Sequence, residues 1–282
     1  MTNNQTRIGI AAMAATAFLW SIAGLFIKAI DWNPLAIAGL RSFIASFVLL
    51  IYLRKPLFNF TFPQIAAAVA NAVTMLLFVI ANKTTTAANA ILLQYVAPIF
   101  TAFIGAMLLK ERTRIEHWLG FAVAAIGMII MFMGKLDGGL MLGNLLAVAS
   151  AVTFSLFFVF MRMQKNESPF ESILLSHWIT AGICLIISLF MPIPDFTLKS
   201  MGAIVILGVI QIGIPSILFA VAIKRITAIS ANLIAIIEPV FNPLWVWIVL
   251  NEAPGINTII GGIIIIIAVT AVTIISNKRN KP

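Results

Sequence analysis

Charged residues are scarce in this chain, and their scarcity excludes an ordinary water-soluble globular protein. Only 10% of the 282 residues are Asp, Glu, Lys or Arg, whereas 62% are hydrophobic. A soluble domain needs about 25% charged residues to cover its surface. We therefore expect the chain to have the lipid bilayer as its main surroundings.

Cysteine and the common catalytic motifs are also missing or rare. The single cysteine, Cys184, lies within an apolar run and cannot form an intramolecular disulfide. The chain contains no HExxH, GxSxG or GxxxxGK[ST] motif and no cluster of acidic residues and histidines with metal-ligand spacing. We therefore predict that the protein is not an enzyme, has no metal or cofactor, and is not driven directly by ATP.

The formal net charge of +9 invites comparison with nucleic-acid-binding proteins. However, the basic residues stand singly or in pairs between apolar runs instead of forming a patch. Short basic loops beside membrane helices explain the charge better, and we expect no nucleic-acid partner.

Ten apolar segments are long enough to cross a bilayer, which takes about 20 helical residues. The first starts soon after Arg7 and lacks a signal-peptidase site, so we interpret it as a span and not as a cleaved leader. The predicted spans are residues 8–28, 34–53, 64–82, 86–109, 115–133, 141–161, 171–190, 201–221, 229–250 and 256–275. The loops between them are short and carry Pro, Gly, Asn and Asp.

The distribution of Lys and Arg predicts the orientation. With the N-terminus in the cytoplasm, cytoplasmic segments hold 13 basic residues and outer loops hold four, while Arg41 lies inside the second span. We therefore predict a multi-pass protein of the cytoplasmic membrane with both termini cytoplasmic.

One stretch occurs twice. Residues 83–111 and 224–252 are identical at nine of 29 positions when they are aligned with an offset of 141. The identities include Pro98 with Pro239 and Glu111 with Glu252. Such repetition, with a proline at the same depth in both halves, is typical of transporters.

Five predicted spans in each half give the repeat a geometry. Because five is odd, the second half enters the membrane upside down relative to the first. The predicted fold class is an all-α integral membrane protein with ten transmembrane helices in two inverted five-helix repeats, residues 1–135 and 136–282.

Several short motifs resemble those of a known family. They are Trp20-Ser21, Leu40-Arg41-Ser42-Phe43, residues 90–98, Leu109-Lys110-Glu111, Glu238-Pro239 and Asn251-Glu252. In this combination, and over the whole chain, the sequence resembles the EamA-type members of the drug/metabolite transporter superfamily. The resemblance implies a central cavity surrounded by spans 1, 3, 4, 6, 8 and 9, with spans 5 and 10 at the periphery.

The repeat and the resemblance together predict a secondary transporter that works by alternating access. The resemblance implies export of a small metabolite such as an amino acid, with protons as a second partner if Glu238 carries them. The alternative is a passive facilitator or channel without ion coupling. The oligomeric state stays open between monomer and homodimer.

Glu238 is the main candidate site residue, because an acid in mid-membrane costs about 2.5–3.5 kcal/mol or more unless it is paired, protonated or facing water. Such a group suits a proton carrier or a binder of an ammonium group; a structural carboxylate is the alternative. Asn242 and Trp245 lie within about 60° of it on a helical wheel and complete one predicted wall. Arg41 is the second buried charge. It is expected to pair with Glu238, to hold a substrate carboxylate, or to be structural.

Polar and aromatic residues of the other spans complete the predicted substrate site, with interhelical packing as the alternative for each. They are Trp20, Asn71, Thr74, Gln94, Tyr95, Thr101 and Gln211. Gating or structural roles are predicted for Pro98, Glu111, Pro239 and Glu252.

Overall fold

The computed structural model describes residues 3–28, 30–85, 87–111, 113–133, 141–192, 195–251 and 254–279. Over these ranges all regular secondary structure is helical. The α-helices are α1 Asn3–Trp20, α2 Ala23–Lys28, α3 Pro34–Leu53, α4 Phe62–Thr84, α5 Ala87–Gln94, α6 Ala97–Leu108, α7 Ile115–Met131, α8 Met141–Met163, α9 Pro169–Ser188, α10 Leu198–Ile206, α11 Ile214–Ile223, α12 Ala228–Ala235, α13 Glu238–Leu250 and α14 Ile256–Arg279. A π-helical segment, Leu207–Gly213, joins α10 to α11.

Eight helical segments within the described residues are long and apolar enough to cross a membrane. They are Pro34–Leu53, Phe62–Ala81, Asn89–Leu108, Met141–Met163, Pro169–Ser188, Leu198–Ile223, Ala228–Val249 and Ile256–Ser276. Each overlaps a predicted span. The fifth predicted span corresponds to the shorter apolar helix α7, of 17 residues, and the first is divided between α1 and α2.

Three of the predicted continuous helices are interrupted. The first breaks at Ser21 and Ile22, the fourth at Tyr95 and Val96, and the ninth at Ile236 and Ile237. In the fourth and ninth, a proline stands at the second position of the new helix, Pro98 in α6 and Pro239 in α13. Proline suits this position because its missing N–H is not needed in the first turn.

The eighth predicted span is continuous, but its middle part is a π-helix, which is wider than an α-helix. Pro215 lacks an N–H, and its ring crowds the carbonyl of Gln211 one turn earlier, which favours the π-helical segment. Gly208 in this segment lets it approach α3 closely, because a Cβ there would lie 2.5 Å from the Cβ of Ile44.

The helices surround an aromatic core. α8 packs against α4 and against both parts of the fourth span, α1 packs against α11, and α3 packs against α9 and the π-helical segment. Phe157 and Phe158 of α8 meet Phe219 of α11 with ring centroids 5.1 and 5.0 Å apart. Large apolar side chains such as Ile51, Leu189 and Ile248 are exposed on the outside, as a lipid-facing surface requires.

Helices α7 and α14 pack together through glycines. A Cβ at Gly127 would lie 2.9 Å from the carbonyl oxygen of Gly261, and a Cβ at Gly120 would meet Val272. These glycines therefore serve close packing of two helices within one chain.

Candidate functional site

A cavity of about 120 Å³ lies between the helices. Its polar and charged lining residues are Arg41, Asn71, Thr74, Gln94, His177, Ser216 and Glu238. Its apolar lining residues are Trp20, Met75, Phe78, Phe154, Phe157, Ile173, Ile212 and Phe219. All six spans expected around the centre contribute, and so do α3 and α9, which the family resemblance did not lead us to expect.

Glu238 reaches the cavity from a break in its helix. It is the first residue of α13, where the unpaired N–H groups of a helix start favour negative charge. Tyr95, at the break between α5 and α6, donates a hydrogen bond of 2.6 Å from its hydroxyl to Oε2 of Glu238. The breaks of the fourth and ninth predicted spans therefore meet at one charge-assisted hydrogen bond.

Arg41 enters the cavity from α3. The residue is only 8% exposed, and its Nε makes no hydrogen bond to any residue that the structure describes. Among the described residues the ion pairs are Arg114 with Glu116 and Arg162 with Glu111, so Arg41 and Glu238 line the same cavity without forming one. The predicted direct pairing of these two residues is therefore not present.

Three polar lining residues hold neighbouring helices together. Asn71 of α4 donates to Ser176 of α9 at 2.8 Å, and Gln94 of α5 donates to Ser150 of α8 at 2.9 Å. Thr74 of α4 donates to Thr153 of α8 at 2.8 Å. Each of these predicted site residues thus lies at the cavity and also forms an interhelical bond.

Trp20 lies at the end of α1 and forms part of the apolar wall. Its ring centroid is 6.2 Å from that of Phe154 and 6.0 Å from that of Phe219. An aromatic surface of this kind favours contact with an apolar group of a ligand.

Five predicted site residues are outside the cavity lining: Tyr95, which bonds to Glu238, and Thr101, Gln211, Asn242 and Trp245. Asn242 and Trp245 are one and two turns beyond Glu238 along α13, and a turn is about 5.4 Å, so they share its face at another depth. The indole N–H of Trp245 donates to Ser21 at 2.8 Å. Thr101 is buried and accepts from Asn232 at 2.6 Å. The side-chain amide of Gln211 donates to the carbonyl of Trp20 at 3.5 Å.

His177 is a cavity residue that is not among the predicted site residues. Its Nε2 lies 2.9 Å from the hydroxyl of Ser216, and its Nδ1 has no hydrogen-bond partner among the described residues. The signal available in the sequence was that ionisable residues inside membrane helices usually face a cavity or a partner.

Glu111 follows the fourth predicted span and joins two other helices. Its carboxylate accepts from Nε of Arg162 at 2.8 Å and from the backbone N–H of Ala228 at 3.0 Å. The same arginine donates to the carbonyl of Ile223 at 2.7 Å. These contacts fit the predicted structural or gating role, whereas Glu252 lies outside the described residues.

A second cavity, of about 220 Å³, lies between α1, α8, α12 and α14. Its two arginines are already bonded, Arg162 to Glu111 and Arg225 to Gln5 at 2.8 Å. The smaller cavity, with Arg41 and Glu238 in its lining, is therefore the candidate site.

Within the described part of the chain, no group of three or more His, Cys, Asp or Glu side chains could hold a metal ion.

Comparison with known proteins agrees with this architecture. The chain is 24% identical over 264 residues to an uncharacterized transporter of Archaeoglobus fulgidus, covering 93% of this chain and 95% of that protein. It is 26% identical over 209 residues to the uncharacterized transporter YdfC of Bacillus subtilis, covering 72% of this chain and 67% of that protein. One crystal structure matches with a TM-score of 0.83 at 21% identity, covering 100% of both chains, and so shares the fold.

The sequence model of the EamA-like transporter family matches in two parts, residues 7–133 and 141–274. Together these parts span nearly the whole chain, and multiple apolar helices accompany them. The protein is therefore a multi-span membrane protein that belongs to the EamA-like transporter family.

Proposed function

We propose that the protein is a secondary transporter that exports a small metabolite, such as an amino acid, across the cytoplasmic membrane by alternating access, with protons as the coupling ion. The observation that carries the proposal is the position of Glu238, an acid in a cavity of mixed polar and aromatic lining between two broken helices. Such a residue in a membrane protein marks a substrate or proton pathway.

The packing of the helices supports two related halves, α1–α7 and α8–α14. If the fourth span, α5 and α6, corresponds to α12 and α13, then the contact of α4 with α8 has its counterpart in α11 with α1. The contact of α4 with α9 corresponds likewise to that of the π-helical segment with α3. The pairs α3 with α9 and α7 with α14 map onto themselves, and so does the pair of the fourth span with the ninth, which are in contact through α6 and α12. This pattern is expected of ten spans in two inverted repeats, with boundaries near residues 135 and 136.

The hydrogen bond from Tyr95 to Glu238 joins one proposed half to the other. Rocking of the halves about the cavity would change the surroundings of this bond and expose it to one side of the membrane at a time. A carboxylate in this place can exchange a proton for a cationic group of the substrate. Tyr95 is bonded to it, and Arg41 and His177 are the other ionisable groups in the cavity lining.

The test is flux into proteoliposomes, measured for a panel of metabolites with and without a pH gradient. We expect the wild type to move at least one metabolite faster when a pH gradient is applied. Glu238→Gln should abolish the pH-dependent flux while the protein remains folded, because the amide cannot carry the proton.

Glu167→Gln is the matched control, because Glu167 is exposed and lies outside the helices. Full transport by Glu238→Gln with unchanged pH dependence would remove Glu238 from the mechanism. Wild-type flux that ignores the pH gradient and does not saturate would instead indicate a passive facilitator or channel.

A further inference from the structure

Arg41 is the least satisfied charged side chain of the cavity. It is more than nine-tenths buried, it lines the cavity, and no hydrogen bond or ion pair joins it to a described residue. A guanidinium cannot lose its proton at ordinary pH and is costly in a membrane without a partner. The side chain is therefore positioned to bind a group that enters the cavity.

The surroundings hold Arg41 in this place. On one side, Gly39 brings α3 close to α9, where a Cβ would lie 2.9 Å from the side chain of Leu185. On the other side, a Cβ at Gly208 would lie 3.2 Å from the carbonyl oxygen of Arg41. Close packing of α3 on both sides therefore hinders a rotation that would carry the guanidinium out of the cavity toward lipid.

The acid of the cavity does not neutralise this charge by direct contact. Glu238 accepts its hydrogen bond from Tyr95, and no ion pair links it to Arg41. His177, the other ionisable group in the lining, is engaged with Ser216 through Nε2. The planar donors of Arg41 thus stay open to an acceptor with two oxygens in one plane, which is the geometry of a carboxylate.

The aromatic part of the cavity wall favours a ligand whose remaining part, beyond the group bound by Arg41, is apolar. Trp20, Phe154 and Phe219 form a continuous aromatic surface in the cavity. A ligand with several charged groups would leave some of them against these rings without a partner.

We infer that Arg41 is the carboxylate-binding subsite of the cavity, and that the substrate is a small carboxylate whose apolar part lies against Trp20, Phe154 and Phe219. The inference rests on the proposed transport function for its physiological meaning, but it concerns binding and can be measured without transport.

The experiment measures binding to purified protein in nanodiscs by calorimetry, with four probes that share one apolar body. Leucine has a carboxylate and an amine, 4-methylpentanoate has the carboxylate alone, leucinamide has the amine alone, and 4-methylpentanamide has neither. We expect wild type to bind both carboxylates. Arg41→Gln should weaken those two by about tenfold to 100-fold, the range for a lost hydrogen bond to a charged group.

The same variant should not weaken the binding of leucinamide or 4-methylpentanamide, whereas loss of a merely structural Arg41 would weaken all four probes. Arg41→Lys keeps the charge but loses the planar pair of donors, so we expect a smaller loss confined to the carboxylates; it also serves if Arg41→Gln does not fold. Arg54→Gln is the control, since Arg54 is an exposed arginine at the end of the same helix.

The inference is overturned if neither carboxylate binds wild type at millimolar concentration, or if Arg41→Gln weakens all four probes equally. Its failure is distinguishable from failure of the proposed function. If solutes without a carboxylate show coupled flux that is unchanged in Arg41→Gln, the carboxylate subsite is wrong and the transport function stands. If carboxylates bind in an Arg41-dependent way but no solute is transported, the transport function is wrong and the subsite stands.

Discussion

The hydroxyl of Tyr95 donates a hydrogen bond to the carboxylate of Glu238. Its hydrogen bond of 2.6 Å is the described contact to that carboxylate, and it links residues 143 positions apart in the chain. We predict that Tyr95→Phe lowers the proton-coupled flux by about tenfold or more, the value of a lost hydrogen bond to a charged group. The measurement is initial flux in proteoliposomes, beside the folded fraction from size-exclusion chromatography.

The chain offers a matched control for this prediction. It has two tyrosines, and Tyr52 is exposed on α3, where its ring lies 5.4 Å from that of Phe170. Tyr52→Phe should therefore keep wild-type flux. Equal flux in both variants would mean that the hydrogen bond to Glu238 has no part in transport.

At the residue scale, Glu238 and Arg41 could be chosen as candidate site residues because charged residues are rare within apolar segments. Glu238 and Arg41 stand in apolar runs, and membrane helices rarely tolerate such groups without a role. The hydrogen bond between Tyr95 and Glu238 was not predictable, because it depends on how two distant helices pack. The depth of each residue also escaped the helical wheel, which gives direction alone, so the wheel grouped Trp245 with Glu238 although Trp245 bonds to Ser21.

At the scale of elements, the packing of α7 on α14 depends on the absence of a side chain at Gly261. A Cβ there would lie 2.4 Å from the carbonyl oxygen of Gly127 and 2.6 Å from the backbone nitrogen of Met131. Backbone atoms cannot move aside as a flexible side chain can, so the two helices would have to separate. We predict that Gly261→Ala destabilises the protein by about 1–3 kcal/mol, the usual cost of overpacking.

The measurement is thermal unfolding in detergent, followed by tryptophan fluorescence. Gly182→Ala is the matched control, because Gly182 lies inside α9 and a Cβ there meets no atom within 4 Å. That change should be neutral or stabilising, since alanine favours helix over glycine by about 1 kcal/mol. A Gly261→Ala protein as stable as Gly182→Ala would show that α7 and α14 are not in such close contact.

The sequence was informative about where helices lie and less so about where they stop. Apolar length located the eight helical segments that are long and apolar enough to cross a membrane, because lipid requires a helix to satisfy its own backbone. The breaks at Tyr95 and Ile236 fall inside segments that are each apolar enough to count as a single span, so hydropathy could not reveal them. Pro98 and Pro239 marked their neighbourhood, but a proline is compatible with a kink, a break or a new helix start.

At the scale of the whole molecule, the proposed mechanism requires an even number of spans and two halves of opposite orientation. The 13 basic residues assigned to cytoplasmic segments, against four in outer loops, predict that both ends of the chain face the cytoplasm. The native Cys184 is fully buried, so it should not react with a membrane-impermeant thiol reagent. Single cysteines can therefore be introduced into the natural sequence and labelled in intact cells.

We predict that Asn4→Cys and Lys281→Cys react only after the cells are permeabilised, whereas Lys199→Cys, at an exposed position of α10 in a predicted outer loop, reacts from outside. Labelling of both tails from outside would reverse the orientation and make the carrier face the other way, with the two halves still antiparallel. Labelling of one tail from outside would leave an odd number of spans. Five spans could then not be inverted against five, and Tyr95 and Glu238 would not belong to two equivalent halves that exchange access to the cavity.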